Sequence, residues 1–172
     1  MEPLEVRVYP DPVLRRGGKP VTSFDSELRA TAARMMTAMY DEVGVGLAAP
    51  QVGIEQKLLV LNPTGSKQDR DQELALINPK ITRKKGREFD EEGCLSFPGI
   101  QADVERWIEI TVTYQDLDGK EQTLKATDLL ARIIQHELDH LEGVLFVDRL
   151  SAADKLRVRS KLDELEERYA RR

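Results

Sequence analysis

The most constraining feature of this chain is the sequence His-Glu-Leu-Asp-His at residues 136–140, an H-E-x-x-H motif inside a periodic apolar segment. On a helix, a spacing of four residues places both imidazoles on one face, one turn apart, where they can bind a single metal ion. Glu137 would then lie beside the open coordination position of that ion. His136 and His140 are the only histidines in the sequence, which disfavours an incidental arrangement.

A hydrolytic metal site usually has three protein ligands, and two residues are candidates for the third. Cys94, the only cysteine, lies in EEGCLSFPG, a segment with Gly and Pro that has no apolar periodicity. Such a segment is typical of an exposed or metal-bound thiolate, although an inert packing role is the alternative. Glu164, further along the chain, would be the ligand in a thermolysin-like peptidase. A non-catalytic metal-binding or sensor domain is a third interpretation.

The first half of the sequence predicts one helix followed by a loop and two strands. Residues 25–43 predict a helix with a core-facing stripe made by Leu28, Ala32, Met35, Met36, Met39 and Val43. Segment 44–53, GVGLAAPQVG, predicts a glycine-rich loop whose backbone approaches a ligand closely. Apolar runs predict strands at 57–62 and 74–78.

The second half predicts a hairpin and two further helices. Residues 107–115 alternate as a strand, and Asp118-Gly119 predicts a turn into a second strand. Thr127 is predicted to cap a helix over 128–143 that carries the motif, with an apolar face of Leu129, Leu130, Ile133, Ile134, Leu138 and Leu141. Ser151 with Asp154 predicts the start of a charged C-terminal helix over 151–172. These elements indicate an α+β fold in which antiparallel or mixed sheets pack around the central motif helix, between an N-terminal and a C-terminal helix.

Length and composition favour a single domain, 1–172, in the cytoplasm. The chain has 172 residues, 40% of them apolar, and no apolar run long enough to span a membrane. Its beginning, MEPLEVRVYPDP, lacks the basic start and apolar run of a secretion signal. The net charge of −5 disfavours a DNA-binding protein. The C-terminal segment is locally basic, with Lys155, Arg157, Arg159 and Lys161, a pattern that usually marks a solvated helix face.

Three separated motifs give the sequence a specific resemblance. GVGLAAPQ at 44–51, EGCLS at 92–96 and QHELDH at 135–140 occur in the order and spacing found in peptide deformylases. The chain resembles that family over nearly its whole length through about residue 150. The resemblance implies a metal-dependent hydrolase that removes the N-formyl group from the formylmethionine of newly synthesised polypeptides, releasing formate by attack of metal-bound water on the formyl carbon.

The resemblance also implies roles for individual residues. Cys94, His136 and His140 would bind one divalent metal, with Glu137 as general base and acid, and Gln51 and the Leu95 N–H would stabilise the oxyanion. Fe(II) is the physiological ion that the family favours, while Zn, Ni or Co would suit the same ligands in a purified sample. The family's co-translational role implies N-formylmethionyl nascent peptides as partners, and a ribosome contact through the C-terminal helix. The expected substrate contacts are Val45, Gly46, Gly93, Leu129 and Ile133.

Three positions differ from what several relatives carry. Arg132 and Asp90 stand where those relatives have apolar residues, and Gln101 stands where they have basic or aromatic ones. These differences predict a more polar rim around the substrate pocket without a change in the chemistry.

Overall fold

The computed structural model describes residues 2–172 and has the α+β architecture that the sequence predicts. Three α-helices and five strands follow one another along the chain as α1 (Ser26–Asp41), β1 (Gly46–Ala48), β2 (Leu58–Leu61), β3 (Leu74–Cys94), β4 (Phe97–Gln115), β5 (Glu121–Thr127), α2 (Asp128–Leu141) and α3 (Ala152–Ala170). Short 3-10 helices occupy Pro12–Arg15, Ala49–Val52, Arg70–Gln72 and Phe146–Arg149. The segment 44–53, expected to be an irregular loop, therefore contains a strand and a helical turn.

The five strands form one antiparallel sheet in the order β1-β2-β3-β4-β5. Leu58 and Val60 of β2 pack on the α1 side of this sheet, whereas Leu59 and Leu61 pack on the α2 side. Because both faces of β2 are covered, its sequence is continuously apolar instead of alternating. Helices α1 and α2 thus sandwich β1, which lies within the GVGLAAPQ segment, and β2, which follows it.

Strands β3 and β4 are far longer than the sequence predicts. They pair as a hairpin that extends from Ile77 and Gln115 to the tight turn between Cys94 and Phe97. Most of β3 beyond residue 81 is exposed, so its sequence carries no apolar alternation, and pairing with β4 determines its strand conformation. Cys94 therefore lies at the end of a strand, although the segment around it has no apolar periodicity.

Helix α1 begins and ends with recognisable caps. The side chain of Asp25 accepts a hydrogen bond from the Leu28 N–H at 2.9 Å. At the other end, the N–H groups of Val43 and Gly44 bond to the carbonyls of Tyr40 and Met39, which is a Schellman motif. Val43 is left-handed, with φ 58°, a conformation that costs an L-residue about 1–2 kcal/mol. Its side chain is 89% exposed, so the prediction that Val43 joins the core was wrong.

Helix α2 lies against the sheet through Ile133, Ile134 and Leu141. Buried Gln135 also fixes the helix to β4, because its side chain bonds both the N–H and the carbonyl of Trp107, at 2.9 and 2.8 Å. Thr127 occupies the predicted N-cap position, yet its side chain makes no capping hydrogen bond. Packing and the Gln135 contacts therefore position the motif helix more than its cap does.

Helix α3 covers the other end of the hairpin. Ser151 caps it through the Asp154 N–H, as predicted, and Val158, Leu162 and Leu165 pack on the first residues of β4. Its exposed side contains ion pairs one turn apart, such as Arg159 with Asp163 at 3.0 Å. None of the helices within residues 2–172 has both the length and the apolar character that crossing a bilayer requires.

Candidate metal centre

The two motif histidines face the interior from consecutive turns of α2. Their ring centroids lie 5.1 Å apart, and both side chains are buried. The helical spacing that the sequence predicted is therefore the spacing in the folded chain.

Cys94 completes a group of three side chains that could hold a metal ion. Its Sγ atom lies 3.4 Å from Nε2 of His140, and the ligand atoms of Cys94, His136 and His140 all lie within 4.8 Å of one another. One sulfur and two imidazole nitrogens so close together fit a divalent metal and leave a coordination position for water. Among residues 2–172 no other such group of His, Cys and acidic side chains occurs, and Glu164 is exposed on α3. The ligand set of a thermolysin-like peptidase is therefore not assembled.

The protonation of the two imidazoles also suits a cation. Burial, with the nearby His136 and Arg106, lowers the pKa of His140 well below 6.5, so this ring is neutral and can bind a metal. Burial alone would lower the pKa of His136 too, but its contacts with Cys94 and Glu92 raise it well above 6.5. Positive charge is thus favoured beside the sulfur, where a divalent ion would supply it.

Glu137 lies next to the candidate ligands and has one carboxylate oxygen without a hydrogen-bond partner among residues 2–172. Burial raises the pKa of its carboxyl to about 7, and a neighbouring cation would lower it again. Its Oε2 is buried without a hydrogen-bond partner among residues 2–172. A β-carbon added to Gly46 would lie only 3.0 Å from Cγ of Glu137, so glycine is needed for β1 to approach the helix here. Glu137 also lines a cavity, so it can exchange a proton with a molecule that binds there.

Gln51 and Leu95 flank the sulfur. The side-chain oxygen Oε1 of Gln51 accepts a hydrogen bond from the Ala48 N–H at 2.9 Å, which orients the side-chain amide nitrogen. That nitrogen lies 3.6 Å from Sγ of Cys94 and 3.1 Å from Oγ of Ser96. Leu95 follows Cys94 in the turn and lines the same cavity. The structure therefore places the side-chain N–H donor of Gln51 and the turn that contains Leu95 next to the Cys94 sulfur.

A buried network of charged side chains orients the His136 ring through its Nδ1 atom. The carboxylate of Glu92 lies 2.8 Å from Nδ1 of His136 and receives two hydrogen bonds from Arg106, each of 2.9 Å. Burial would raise the pKa of Glu92, but the bonds from Arg106 and His136 outweigh it and lower the pKa to about 2. Arg106 also bonds Asp139 at 2.6 Å, and Asp139 in turn binds Arg149. Because Glu92 occupies Nδ1, Nε2 remains as the His136 nitrogen available to a metal.

Replacing Arg106 with Leu should lower the free energy of unfolding by about 3–5 kcal/mol, because Glu92 and Asp139 would keep buried charge with one partner fewer. Urea denaturation measures this loss. Arg159→Leu is the control, since it removes only an exposed pair with Asp163 and should cost less than about 1 kcal/mol. Similar losses in both variants would contradict the importance of the buried network.

A cavity of about 390 Å³ opens in front of Glu137 and His136. The five residues expected to contact substrate all line it, namely Val45, Gly46, Gly93, Leu129 and Ile133. Ile133 and Gly46 are buried near Glu137, whereas Val45 and Leu129 are 38% and 56% exposed toward the mouth. Ile133 and Gly46 thus form the inner part of the cavity beside Glu137, and Val45 and Leu129 form an apolar outer wall.

The predicted polar rim needs correction at Arg132. This residue lines the cavity, but its guanidinium is buried and bonds Glu92 at 2.7 Å, with further bonds to the carbonyls of Val104 and Glu88. It therefore belongs to the charge network behind His136. Gln101 does line the cavity, and Asp90 is exposed nearby on β3.

The sequence interpretation missed Glu92, Arg106 and Asp139, which look like ordinary surface charges. A signal was present for Arg106: Ala102, Val104 and Arg106 follow one another at a spacing of two, and the first two are apolar. On a strand this spacing puts all three side chains on the same, core-facing side. A charged residue there must find a buried partner, which is Glu92.

Fold and site together define a metal-dependent hydrolase. The model of the family described as polypeptide deformylase matches residues 3–156. The chain is 48% identical to a peptide deformylase of Acidobacterium capsulatum over 144 residues, 84% of each protein. It superposes on crystal structures of peptide deformylases from Plasmodium falciparum (TM-score 0.94, 40% identity, 96% of this chain and 97% of the other) and Legionella pneumophila (TM-score 0.88, 39% identity, 99% of both).

The chain belongs to the polypeptide deformylase family. As a member of that family it is a hydrolase that removes the N-formyl group from newly synthesised polypeptides.

Proposed function

We propose that this chain deformylates N-terminal formylmethionine with one divalent ion held by Cys94, His136 and His140, and with Glu137 as acid–base catalyst. The observation that supports the ligand set most strongly is that the three ligand atoms lie within 4.8 Å of one another, while Cys94 and His136 also line the cavity. Incubation with a formyl-methionyl tripeptide should release one formate for each peptide consumed. Cleavage of internal peptide bonds without formate would contradict the proposal.

Glu137 moves the proton in this mechanism. When bound, a divalent ion supplies a Lewis acid that polarises the formyl carbonyl and acidifies water. The thiolate of Cys94 cancels part of the ion's charge, so water is acidified less than by three neutral imidazoles, and a base must assist. Glu137 accepts the proton of the attacking water on a carboxylate oxygen and then returns it to the departing amine.

Gln51 and Leu95 stabilise the charge that develops on the formyl oxygen. The amide nitrogen of Gln51 is fixed by the Ala48 contact, so it needs no reorganisation when that charge appears. The backbone N–H of Leu95 is the second donor. Both donors flank Cys94.

Replacing Gln51 with Glu should lower kcat by about 10²-fold, because the variant keeps an oxygen for the Ala48 N–H but loses the N–H donor. Steady-state kinetics with a formyl-methionyl peptide measures the loss, and KM should change less than kcat. Ser96→Ala, which removes only the neighbouring hydroxyl, serves as the control and should lose much less. A Q51E enzyme with parental kcat would contradict the assignment of Gln51.

The inner part of the cavity fits the methionine side chain. Buried Ile133 offers an apolar wall in the inner part, and the more exposed Val45 and Leu129 continue this wall toward the mouth. A flexible thioether gains mainly from burial and soft contacts. The peptide backbone would lie against Gly46 and Gly93, where strand-like hydrogen bonds tolerate many following sequences. This arrangement supports a substrate class defined by its first residue.

Fe(II) is the ion we propose as physiological. The family resemblance favours it, while a thiolate with two imidazoles also suits zinc, nickel and cobalt. Anaerobic purification from cells supplied with iron, followed by elemental analysis, should find iron in excess of the other metals. Zinc as the predominant metal under those conditions would contradict this part of the proposal.

The remaining proposals concern partners and location. We propose a single catalytic domain in the cytoplasm that contacts the ribosome through α3 and has no DNA partner. Exposed Lys155 and Arg157 on α3 support the ribosome contact, and the net charge of −5 disfavours DNA. Co-sedimentation with ribosomes should weaken when both basic residues are replaced by Glu. Unchanged co-sedimentation, or retention on DNA, would contradict these assignments.

A further inference from the structure

Val43 combines a costly backbone conformation with an exposed apolar side chain. It occupies the left-handed position that ends α1, where glycine or asparagine is usual, and a β-branched residue with φ 58° is an outlier there. Its side chain is 89% exposed, so no burial within the chain offsets the strain. Stability therefore gives no reason for valine at this position.

The next residue, Gly44, is required by the packing of the fold. A β-carbon on Gly44 would lie 2.7 Å from Cδ1 of Leu95, so glycine at 44 lets this segment approach the turn that follows Cys94. No such contact restricts residue 43, and any side chain that tolerates the left-handed region would fit. The choice of valine must therefore serve something outside the fold.

The position of Val43 at the cavity indicates a role in substrate binding. Val43 lines the catalytic cavity, together with Val45 and Gly46. Gly46 is buried against Glu137, whereas the side chains of Val45 and Val43 are turned toward solvent, with these residues 38% and 89% exposed. A peptide whose first side chain lies beside Gly46 would leave the cavity past Val43.

We propose that Val43 is a specificity-determining residue, which contacts an apolar side chain at the second or third position of the substrate. The inference rests on the proposed placement of the first residue in the inner cavity. Covering Val43 with substrate removes apolar surface of both partners from water, and each methylene shielded favours binding about four-fold. The enzyme would then prefer apolar over small polar residues after the formylated methionine.

Acidic residues at the cavity require that test peptides be uncharged. Glu91 lines the cavity, and Asp103 is its register partner on β4, so two exposed carboxylates lie side by side there. Lysine or arginine in a peptide would be attracted to them and would obscure an apolar effect. Suitable substrates are therefore formyl-Met peptides with Leu or Gly in the second and in the third position.

The test compares Val43→Asn with Val43→Ile. Asparagine tolerates the left-handed region, so V43N should raise Tm by about 2–4 °C, while the ratio of kcat/KM for Leu over Gly peptides falls about four-fold or more. V43I keeps the apolar branched side chain and should retain both the parental Tm and the parental ratio. Leu156→Asn, at an exposed apolar residue on α3 away from the cavity, controls for loss of surface hydrophobicity.

Several results would overturn the inference. A V43N enzyme with the parental Leu-to-Gly ratio would show that Val43 contacts no substrate side chain. A lowered Tm in V43N would show that valine is not strained there. An equal fall of the ratio in L156N would assign the effect to the surface in general. Absence of formate release from every peptide with the parent enzyme would instead overturn the proposed function itself.

Discussion

Exchanging Glu137 for Gln should reduce formate release by about 10³–10⁴-fold while one metal ion stays bound per chain. The amide has nearly the size of the carboxylate, so it fits beside Gly46, but it cannot accept the proton of the attacking water. The measurement combines kcat with elemental analysis of the same sample.

The control for this variant is Glu142→Gln at the end of α2. Glu142 is exposed and pairs with Lys57 at 3.2 Å, so its replacement should leave kcat at the parental level. If E137Q kept its kcat, Glu137 would not be the base. If neither the parent nor E137Q turned over substrate although both bound metal, the sensor interpretation would be favoured.

Exchanging Cys94 for Ser should abolish metal retention, and activity with it. A serine hydroxyl stays protonated near neutral pH and is a poor ligand for the ions that suit a thiolate with two imidazoles. After gel filtration under anaerobic conditions, the metal content should fall from about one ion per chain to near zero. Circular dichroism should show a folded protein, because the sulfur is a small part of the core contacts.

Glu164→Gln is the matched control for Cys94. Glu164 is exposed on α3 and should be replaceable without loss of metal. A thermolysin-like site predicts the reverse pattern, in which E164Q loses the ion and C94S keeps it. That outcome would contradict the metal centre described above.

Local patterns in the sequence predict the elements whose residues face a core. Helix α2 and its motif were predictable because the apolar residues recur at helical spacing, and β2 because its apolar run is buried on both sides. The far part of β3 was not predictable, since exposed residues 82–91 reveal no face. Their strand conformation depends on hydrogen bonds to β4, which are non-local.

The residues of the candidate site also differ in how well the sequence predicts them. Cys94, His136 and His140 could be predicted because their types and spacing serve metal chemistry directly. The carboxylate that binds Nδ1 of His136 could not be predicted. Its residue, Glu92, meets Arg106 only when β3 pairs with β4. Val43 was misplaced because helical spacing put it on the core-facing stripe, whereas α1 ends at Asp41 and the Schellman motif puts Val43 in the left-handed conformation beyond it.

The most direct test of the account is formate release measured as a function of metal content. An anaerobically purified sample should release formate from a formyl-methionyl peptide in proportion to its bound metal. Release should stop after a chelator and return when Fe(II) is added back. Formate release that persists undiminished in a chelated, metal-free sample would contradict a metal centre built on Cys94, His136 and His140.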